Sequence, residues 1–278
     1  MSKLADRYQS APVTGASTGL GRAMAEMLLE EGVRVWGTAR EPARLPVRTG
    51  FTAVALDLDS DASVSASFAM ADRGAGGLDL LVNNAGYGLF GGFAERDFAG
   101  WQRQLDAMLV RTLRLSHLAL PGMLARDRGA VVNVSSLAAE FPLPFMSGYN
   151  VVKSGLAAFS ESLMMEVART GIIVIDFRPG DYRTGFNQTM QTASERQLAP
   201  ELPRTVRQQR AWTVLEANLR AAPPPARAAA DLRRALVRHR SGTVRSGTFF
   251  QARLAPLLAP LVPQRLRRAA AARYFGCF

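Results

Sequence analysis

The chain is poor in cysteine, in long apolar runs and above all in lysine, and each shortage excludes something. One cysteine, Cys277, among 278 residues cannot close an intrachain disulfide, so stability must come from a packed core. This usage also fits a reducing compartment. No uncharged apolar run reaches about 18 residues, the length a bilayer-crossing helix needs. Residues 1–10 are largely polar and hold no apolar stretch of the signal-peptide kind, so a cytoplasmic protein is expected. No internal repeat is found and no metal site is expected. Of 34 basic residues only Lys3 and Lys153 are lysines.

Arginine is therefore the default cation, and a lysine at position 153 reads as a chemical requirement. An ammonium is a compact point charge, whereas a guanidinium is a planar fork. Lys153 stands four residues after Tyr149, a spacing that puts both side chains on one helix face. There an ammonium favours the tyrosinate and draws its pKa from about 10 toward neutrality, which makes a general acid/base. Taken alone, Tyr-x-x-x-Lys is a weak signal, and an ordinary solvated helix pair is the reading it favours.

Three other segments bear on that choice. Val13-Thr14-Gly15-Ala16-Ser17-Thr18-Gly19-Leu20-Gly21 is Gly-rich and precedes a helical apolar pattern at Ala23, Met24, Met27 and Leu28. Gly32 and the β-type run 33–37 follow. This is a βαβ unit opening a parallel sheet, and its glycines let the backbone approach a pyrophosphate on the helix N-terminus. Leu80-Leu81-Val82-Asn83-Asn84-Ala85-Gly86 is an apolar strand ending in a polar turn. Ala130-Val131-Val132-Asn133-Val134-Ser135-Ser136 is a buried-type strand ending in two hydroxyls, with Ser136 13 residues before Tyr149.

Thr14-Gly15-x-x-x-Gly19-x-Gly21, Asn83-Asn84-Ala85-Gly86, Ser136, Tyr149-x-x-x-Lys153 and Arg178-Pro179-Gly180 occur in the order and spacing of the short-chain dehydrogenase/reductase family. The chain resembles that family closely over roughly residues 8–190 and only generally beyond. The resemblance implies a Rossmann-type domain that binds a nicotinamide cofactor and interconverts a carbonyl and an alcohol.

Strands are expected near 9–14, 33–37, 52–56, 79–83, 130–135 and 172–177, with helices near 20–31, 61–72, 99–126, 147–169 and 226–239. The alternation argues an α/β fold with a doubly wound parallel sheet whose strand C-termini carry the motifs. The expected organisation is a dinucleotide-binding and catalytic domain over 1–190, a substrate lid over 185–225 and a basic helical extension over 226–278. Pro12 conflicts with a central first strand, since proline removes a ladder donor.

The charge is uneven. Residues 220–278 hold 12 arginines and one acid, Asp231, so they carry the whole formal net charge of +11. Within this stretch Phe250, Leu254, Leu257, Leu258, Leu261 and Val262 follow helical spacing, interrupted by Pro256, Pro260 and Pro263. A tail packed on the domain with a solvated arginine face is the preferred reading. A peripheral membrane contact is the other. Nucleic acid is not an expected partner, because no recognition motif accompanies the basic patch.

The resemblance also implies roles. Tyr149 exchanges a proton with the carbonyl oxygen, Lys153 lowers its pKa and holds the nicotinamide ribose, and Ser136 hydrogen-bonds the carbonyl. Gly15, Ser17, Thr18, Gly19, Leu20 and Gly21 form the phosphate turn. Asp57 contacts the adenine amino group with Leu58 beside it, Asn83 fixes the strand ends around the adenosine side, where Ala85 and Gly86 also bind cofactor, and Thr184, with Pro179 and Gly180, contacts the cofactor's carboxamide or phosphates. The end of the second strand carries Ala39 and then Arg40, with no acid for ribose hydroxyls, so NADP(H) is favoured over NAD(H). Met108 falls where the family has a catalytic Asn, and a thioether donates nothing. That departure sustains an alternative, a cofactor-binding protein without turnover. His117 lies about 13 Å along the helix from Met108 and reads as structural. Phe186, Met190 and Trp212 are candidates for an apolar pocket taking a lipophilic carbonyl or alcohol substrate. A homodimer or homotetramer is expected by analogy.

Overall fold

The apolar runs around Val13, Val35, Val54, Val82, Val132 and Val174 each become a strand, and all six belong to one sheet, with the Val54 strand at its edge. A computed structural model of the protein describes residues 4–188, 190 and 205–277. Its strands are β1 (Ser10–Val13), β2 (Arg34–Ala39), β3 (Phe51–Ala55), β4 (Leu80–Asn83), β5 (Gly129–Val134), β6 (Ile172–Pro179) and β7 (Gly242–Ser246). All pair parallel in the order β3-β2-β1-β4-β5-β6-β7. β1, β4 and β5 are buried along their whole length, which is why they read as continuous apolar runs and not as alternating ones.

The helices are α1 (Gly19–Glu30), α2 (Asp61–Ala75), α3 (Phe98–Leu105), α4 (Arg111–Ala125), α5 (Ser147–Glu166), α6 (Val206–Ala221), α7 (Pro225–Arg238), α8 (Ala255–Leu258) and α9 (Gln264–Tyr274). Local signals set their ends. α2 starts after Ser60, whose hydroxyl accepts the Ser63 N–H at 3.2 Å, and stops at Gly76 in the left-handed region at φ +71°. The helix expected as one piece over 99–126 is α3 and α4 joined by a π-turn, Asp106–Val110, with Met108 at its middle. Such bulges gather at functional sites. One sheet face packs Met24 and Leu28 of α1 with Leu232 and Leu236 of α7. The other packs Val64, Leu115, Met123 and Leu163 from α2, α4 and α5.

The sheet runs beyond residue 190. α7 lies near its expected place, but it packs on α1, with Arg233 Nε 2.7 Å from Glu31 Oε1. β7 follows it and extends the sheet, pairing Ile175 with Gly242 through Pro179 with Ser246. Residues 225–246 are thus built into the single domain. β7 escaped the pattern because Gly-Thr-Val-Arg-Ser offers one apolar side chain and lies at an edge. The proline-broken stretch becomes a π-turn, Phe250–Leu254, then α8 and a 3₁₀ turn, Ala259–Leu261, before α9. Of the stretch 185–225, expected to form a lid, residues 185–188, 190 and 205–225 are described; 189 and 191–204 lie outside the described residues.

Pro12 does sit inside a central strand. It pairs with Trp36 of β2, and its effect falls on the other side, where β1 matches β4 only at Val13 and Val82. Side chains take over there: Asp79 N–H donates to Ser10 Oγ at 3.0 Å and Gln9 N–H to Asp79 Oδ2 at 2.9 Å. Among the described residues no helix is long and apolar enough to cross a membrane.

Candidate active site

A cleft of about 2000 Å³ runs across the C-terminal ends of the strands, where the strand order reverses about β1 and open α/β sheets receive ligands. Its floor at one end is the Gly-rich turn. Gly15 and Gly19 hold φ of +68° and +57°, conformations costly for any residue with a Cβ. A Cβ on Gly15 would also lie 3.0 Å from Ala85 Cα. Thr18 begins α1 with no side-chain cap and no acid follows in the first turn, so the helix presents open N–H groups and a positive dipole end to the cleft. Ser17, Thr18, Gly19 and Leu20 line this end. The observed turn therefore fits a dinucleotide pyrophosphate.

Two predicted contacts move out of the cleft. Gly21 does not line it; a Cβ there would stand 2.3 Å from Gly15 O and 2.4 Å from Asn84 Nδ2, so this glycine serves packing of the helix against the turn. Asn83 is buried inside the sheet. Its Nδ2 donates to Ser116 Oγ at 3.0 Å and to Asn133 Oδ1 at 2.9 Å, and Asn133 donates on to Ser160 Oγ at 2.9 Å. That network ties β4 and β5 to α4 and α5. The cleft residues are Asn84, Ala85 and Gly86. Thr14, to which the motif reading gave no role, holds them: its Oγ1 accepts the N–H of Asn84 at 2.8 Å and of Ala85 at 2.9 Å.

Arg40 lines the cleft just after β2, with Ala39, Glu41 and Arg44 beside it. Asp57 and Leu58 line the same end. Part of Asp57 shapes its own loop, since Oδ1 accepts the Asp59 N–H at 3.0 Å. Pro179, Gly180 and Thr184 line the opposite wall, and the Thr184 side chain faces Gly19 across the cleft, 3.5 Å from a Cβ built there.

Between these ends stand Ser136, Tyr149 and Lys153. Ser136 closes β5, and its Oγ accepts the Ala138 N–H at 3.0 Å, which fixes its rotamer. Tyr149 and Lys153 share one face of α5, as the spacing required. Ser136 hydrogen-bonds the Tyr149 hydroxyl. Lys153 Nζ donates to Val134 O at 2.8 Å and lies 5.5 Å from the centroid of the Tyr149 ring. Tyr149 differs from expectation in one respect. Burial pushes its pKa up to about 12, outweighing the Ser136 hydrogen bond, and Asp181 adds to the rise. The ammonium sits over the ring and points at a carbonyl, so it does not draw the phenol toward neutrality in this arrangement. Lys153 itself is held down at about 8 by burial, with Asp176 opposing. At neutral pH the pair is a neutral phenol beside an ammonium, which is the proton-donating form.

Met108 lines the cleft too, where the resemblance expects an amide. Its Sδ accepts the Tyr87 N–H at 3.3 Å, and its methyl group packs on Gly86, 2.7 Å from a Cβ built there. His117 is exposed and takes no part. Phe186 and Met190 line the pocket, Phe186 with its ring centroid 5.7 Å from that of Tyr149. Trp212 does not line it; it packs edge-on against Phe90 at 5.1 Å in a small core beneath the cleft. Sequence reasoning missed Asp181 and Gln251. Both line the cleft, and Gln251 Nε2 donates to Asp181 Oδ2 at 2.7 Å. No local signal announces a partner 70 residues away.

The family model described as short chain dehydrogenase matches residues 9–195. Among similar proteins, a 3-ketodihydrosphingosine reductase of Bacteroides thetaiotaomicron is 31% identical over 174 residues, which cover 63% of this chain and 64% of that protein's length. A probable NADP-dependent dehydrogenase of Haemophilus influenzae is 34% identical over 178 residues, 62% of this chain and 70% of that one. In three dimensions a short-chain dehydrogenase/reductase from Burkholderia phymatum, solved with NAD, superposes at a TM-score of 0.81 over 94% of this chain and 96% of its own, at 22% identity. The Gly-rich turn, the Ser136–Tyr149–Lys153 group and the parallel sheet that carries them agree with the sequence match, and the chain belongs to the short-chain dehydrogenase/reductase family of oxidoreductases.

Proposed function

We propose that this protein is an NADP(H)-dependent oxidoreductase that interconverts a carbonyl and a secondary alcohol on a lipophilic substrate. The observation that carries the reading is the Tyr149 hydroxyl, hydrogen-bonded to Ser136 and backed by Lys153, at the boundary between the dinucleotide turn and an apolar pocket. The turn from Gly15 to Leu20 and the N-terminus of α1 would hold the pyrophosphate. Asp57 and Leu58 would flank the adenine, with Ala85 and Gly86 beside the adenosine. Lys153, Pro179, Gly180 and Thr184 would hold the nicotinamide end. The bound nicotinamide supplies or accepts the hydride.

The remaining chemistry belongs to the chain. Ser136 donates to the substrate oxygen and stabilises the negative charge that develops on it. Tyr149 gives that oxygen its proton in reduction and takes it back in oxidation. Lys153, protonated below about pH 8, would hold the nicotinamide ribose and, once turned from the Val134 carbonyl, would favour the tyrosinate left behind. Phe186, Met146 and Met190 exclude water around the reacting carbon. NADP(H) is preferred because Arg40 faces the cleft with no acid at Ala39, and the Haemophilus relative is named as NADP-dependent. The ketones in the names of the Bacteroides relative and of a 3-oxoacyl-[acyl-carrier-protein] reductase of Vibrio cholerae support carbonyl reduction.

Two further features support how the protein is used. Val151 and Met165 on α5, with Val110 and Leu124 beside and on α4, are exposed apolar groups on the two long helices; they favour a homodimer or homotetramer. Phe249 is 73% exposed and Leu261 77%, on a segment that carries Arg253 and Arg265 and also walls the cleft, there with Arg267 and Arg268. That mixture favours a cytoplasmic protein resting on an anionic membrane surface. The test of the activity is a carbonyl and alcohol panel read by NADPH consumption or formation. Turnover is expected for lipophilic members and should drop about 100- to 10,000-fold in Tyr149→Phe. Equal rates in that variant would refute the assignment.

A further inference from the structure

One shielded carboxyl in the cleft has no cation among the described residues. The chain carries 34 basic against 23 acidic residues, and its other shielded acids take arginines. Asp176 pairs with Arg178 at 2.6 Å, Glu140 with Arg178 at 2.6 Å and Arg245 at 2.8 Å, and Asp79 with Arg128 at 3.0 Å. Asp181 lines the cleft between Gly180 and Tyr182, and its partner is the neutral amide of Gln251. Among the described residues no cation acts on it; burial raises its pKa and only the Gln251 hydrogen bond opposes.

Gln251 is left with an acceptor of its own. Its Oε1 is buried and receives no hydrogen bond from the described residues. Glycines at 180 and 247 make room for it: a Cβ on Gly180 would lie 2.8 Å from that oxygen and one on Gly247 3.1 Å. Asp181 is also close enough to the Tyr149 hydroxyl to raise its pKa. A carboxylate without a counter-charge, beside the Tyr149 hydroxyl, and an amide oxygen without a donor therefore belong to one hydrogen-bonded pair. A neutral donor would satisfy the hydrogen bonds and leave the carboxylate unmatched. A cation satisfies both, and a buried carboxylate needs both.

We infer that Asp181, oriented by Gln251, is a specificity-determining residue that receives the ammonium group of an amino ketone or amino alcohol, the amine lying on a carbon close to the reacting one. This rests on the oxidoreductase reading and narrows its substrate class. The apolar side chains of Leu143, Met146, Phe186 and Met190 line the same cleft and suit an alkyl tail. The amine is a handle and does not react: the amino ketone, reduced cofactor and one proton give the amino alcohol and oxidised cofactor, with the ammonium unchanged.

The experiment compares 1-aminododecan-2-ol with dodecan-2-ol as substrates for oxidation, in the full-length protein and in Asp181→Asn. The amino alcohol should be preferred by the wild type. Asp181→Asn should lower its kcat/KM by about 10- to 150-fold more than that of dodecan-2-ol, the fold equivalent of a charge-assisted hydrogen bond, chiefly through KM. The two alcohols falling in equal proportion would overturn the proposal. So would a matching loss of NADPH or NADP⁺ affinity, which would assign the carboxyl to the nicotinamide. Should Asp181→Asn fail to fold, Gln251→Leu is expected to erode the same preference, and an unchanged preference there counts against the proposal. Titration calorimetry with the amino alcohol and the cofactor reads the ammonium site separately. No turnover of either alcohol with amine-dependent binding lost in Asp181→Asn would fault the oxidoreductase reading alone.

Discussion

Lys153 should destabilise the cofactor-free protein, and removing it should raise the melting temperature while ending turnover. The side chain is 6% exposed, and burial takes its pKa from 10.5 to about 8. A shift of that size, at about 1.4 kcal/mol per unit, corresponds to roughly 3 kcal/mol of destabilisation wherever the folded state must keep the proton. Substitution also removes the hydrogen bond from Nζ to Val134 O, which offsets about 1 kcal/mol of the gain. Lys153→Met, similar in length and apolar, should therefore gain about 2 kcal/mol at pH 7, or several degrees in Tm. The sign with pH is definite. Below about pH 8 folded and unfolded chains both hold the proton, so the penalty is complete. Between about 8 and 10.5 the unfolded chain binds more protons than the folded one, and wild-type stability rises with pH. The advantage of Lys153→Met should shrink through that window and reverse above it, where only the lost hydrogen bond, about 1 kcal/mol, remains. Differential scanning calorimetry across pH 6–11 reads this directly. A variant that melts below the wild type at pH 7, or whose advantage does not change with pH, would refute the reasoning.

Arg40→Ala should weaken NADPH by about 10- to 150-fold, the worth of one charge-assisted hydrogen bond to a 2′-phosphate, and leave NADH nearly unchanged; equal losses in fluorescence titrations would sink the NADP(H) preference. Met108→Asn should raise turnover if a proton path through a side-chain amide limits the rate. A new amide without partners at this buried site costs about 1–3 kcal/mol, so the melting temperature is measured alongside, and a stable variant with no gain shows that the path is not limiting. The protein should co-sediment with anionic vesicles, less with neutral ones, and release as salt screens charges beyond about 10 Å at 0.1 M; Arg265→Glu with Arg267→Glu and Arg268→Glu should abolish binding, and retention in that variant would contradict a membrane-facing α9.

The fold is legible where periodicity and punctuation coincide. β1 to β6 and α1, α2 and α5 fall near their expected places because glycine turns bracket apolar runs. β7 is invisible in the sequence, since an edge strand with one central valine needs a partner, β6, to be recognised. α3 and α4 read as one piece because a π-turn leaves the apolar pattern almost undisturbed. The site is legible where a motif must be local. Tyr149 and Lys153 meet on one helix face, and Gly15 and Gly19 need their conformations for reasons of the turn itself. Asn83 ties the strand ends together from inside the sheet and the next residue, Asn84, lines the cleft, as neighbouring side chains along an extended chain point to opposite sides.

What cannot be read from the motifs is where the charge ends up. The +11 of residues 220–278 reads as one basic extension, yet the structure divides it by role. Arg233 pairs with Glu31 and Arg245 with Glu140, so these arginines fasten α7 and β7 to the domain. Arg253, Arg265, Arg267 and Arg268 remain on the outer segment with the exposed apolar groups. Gln251, at the start of that segment, reaches inward to Asp181. Glu140 joins the two levels, because it accepts from Arg178 of β6 and Arg245 of β7 while lining the cleft. Arg178 and Arg245 are thus spent on Glu140, while among the described residues the shielded carboxyl of Asp181, beside Tyr149, has only the neutral amide of Gln251. A protein this rich in arginine that leaves such a carboxyl unmatched reserves it for a charge that arrives with the substrate.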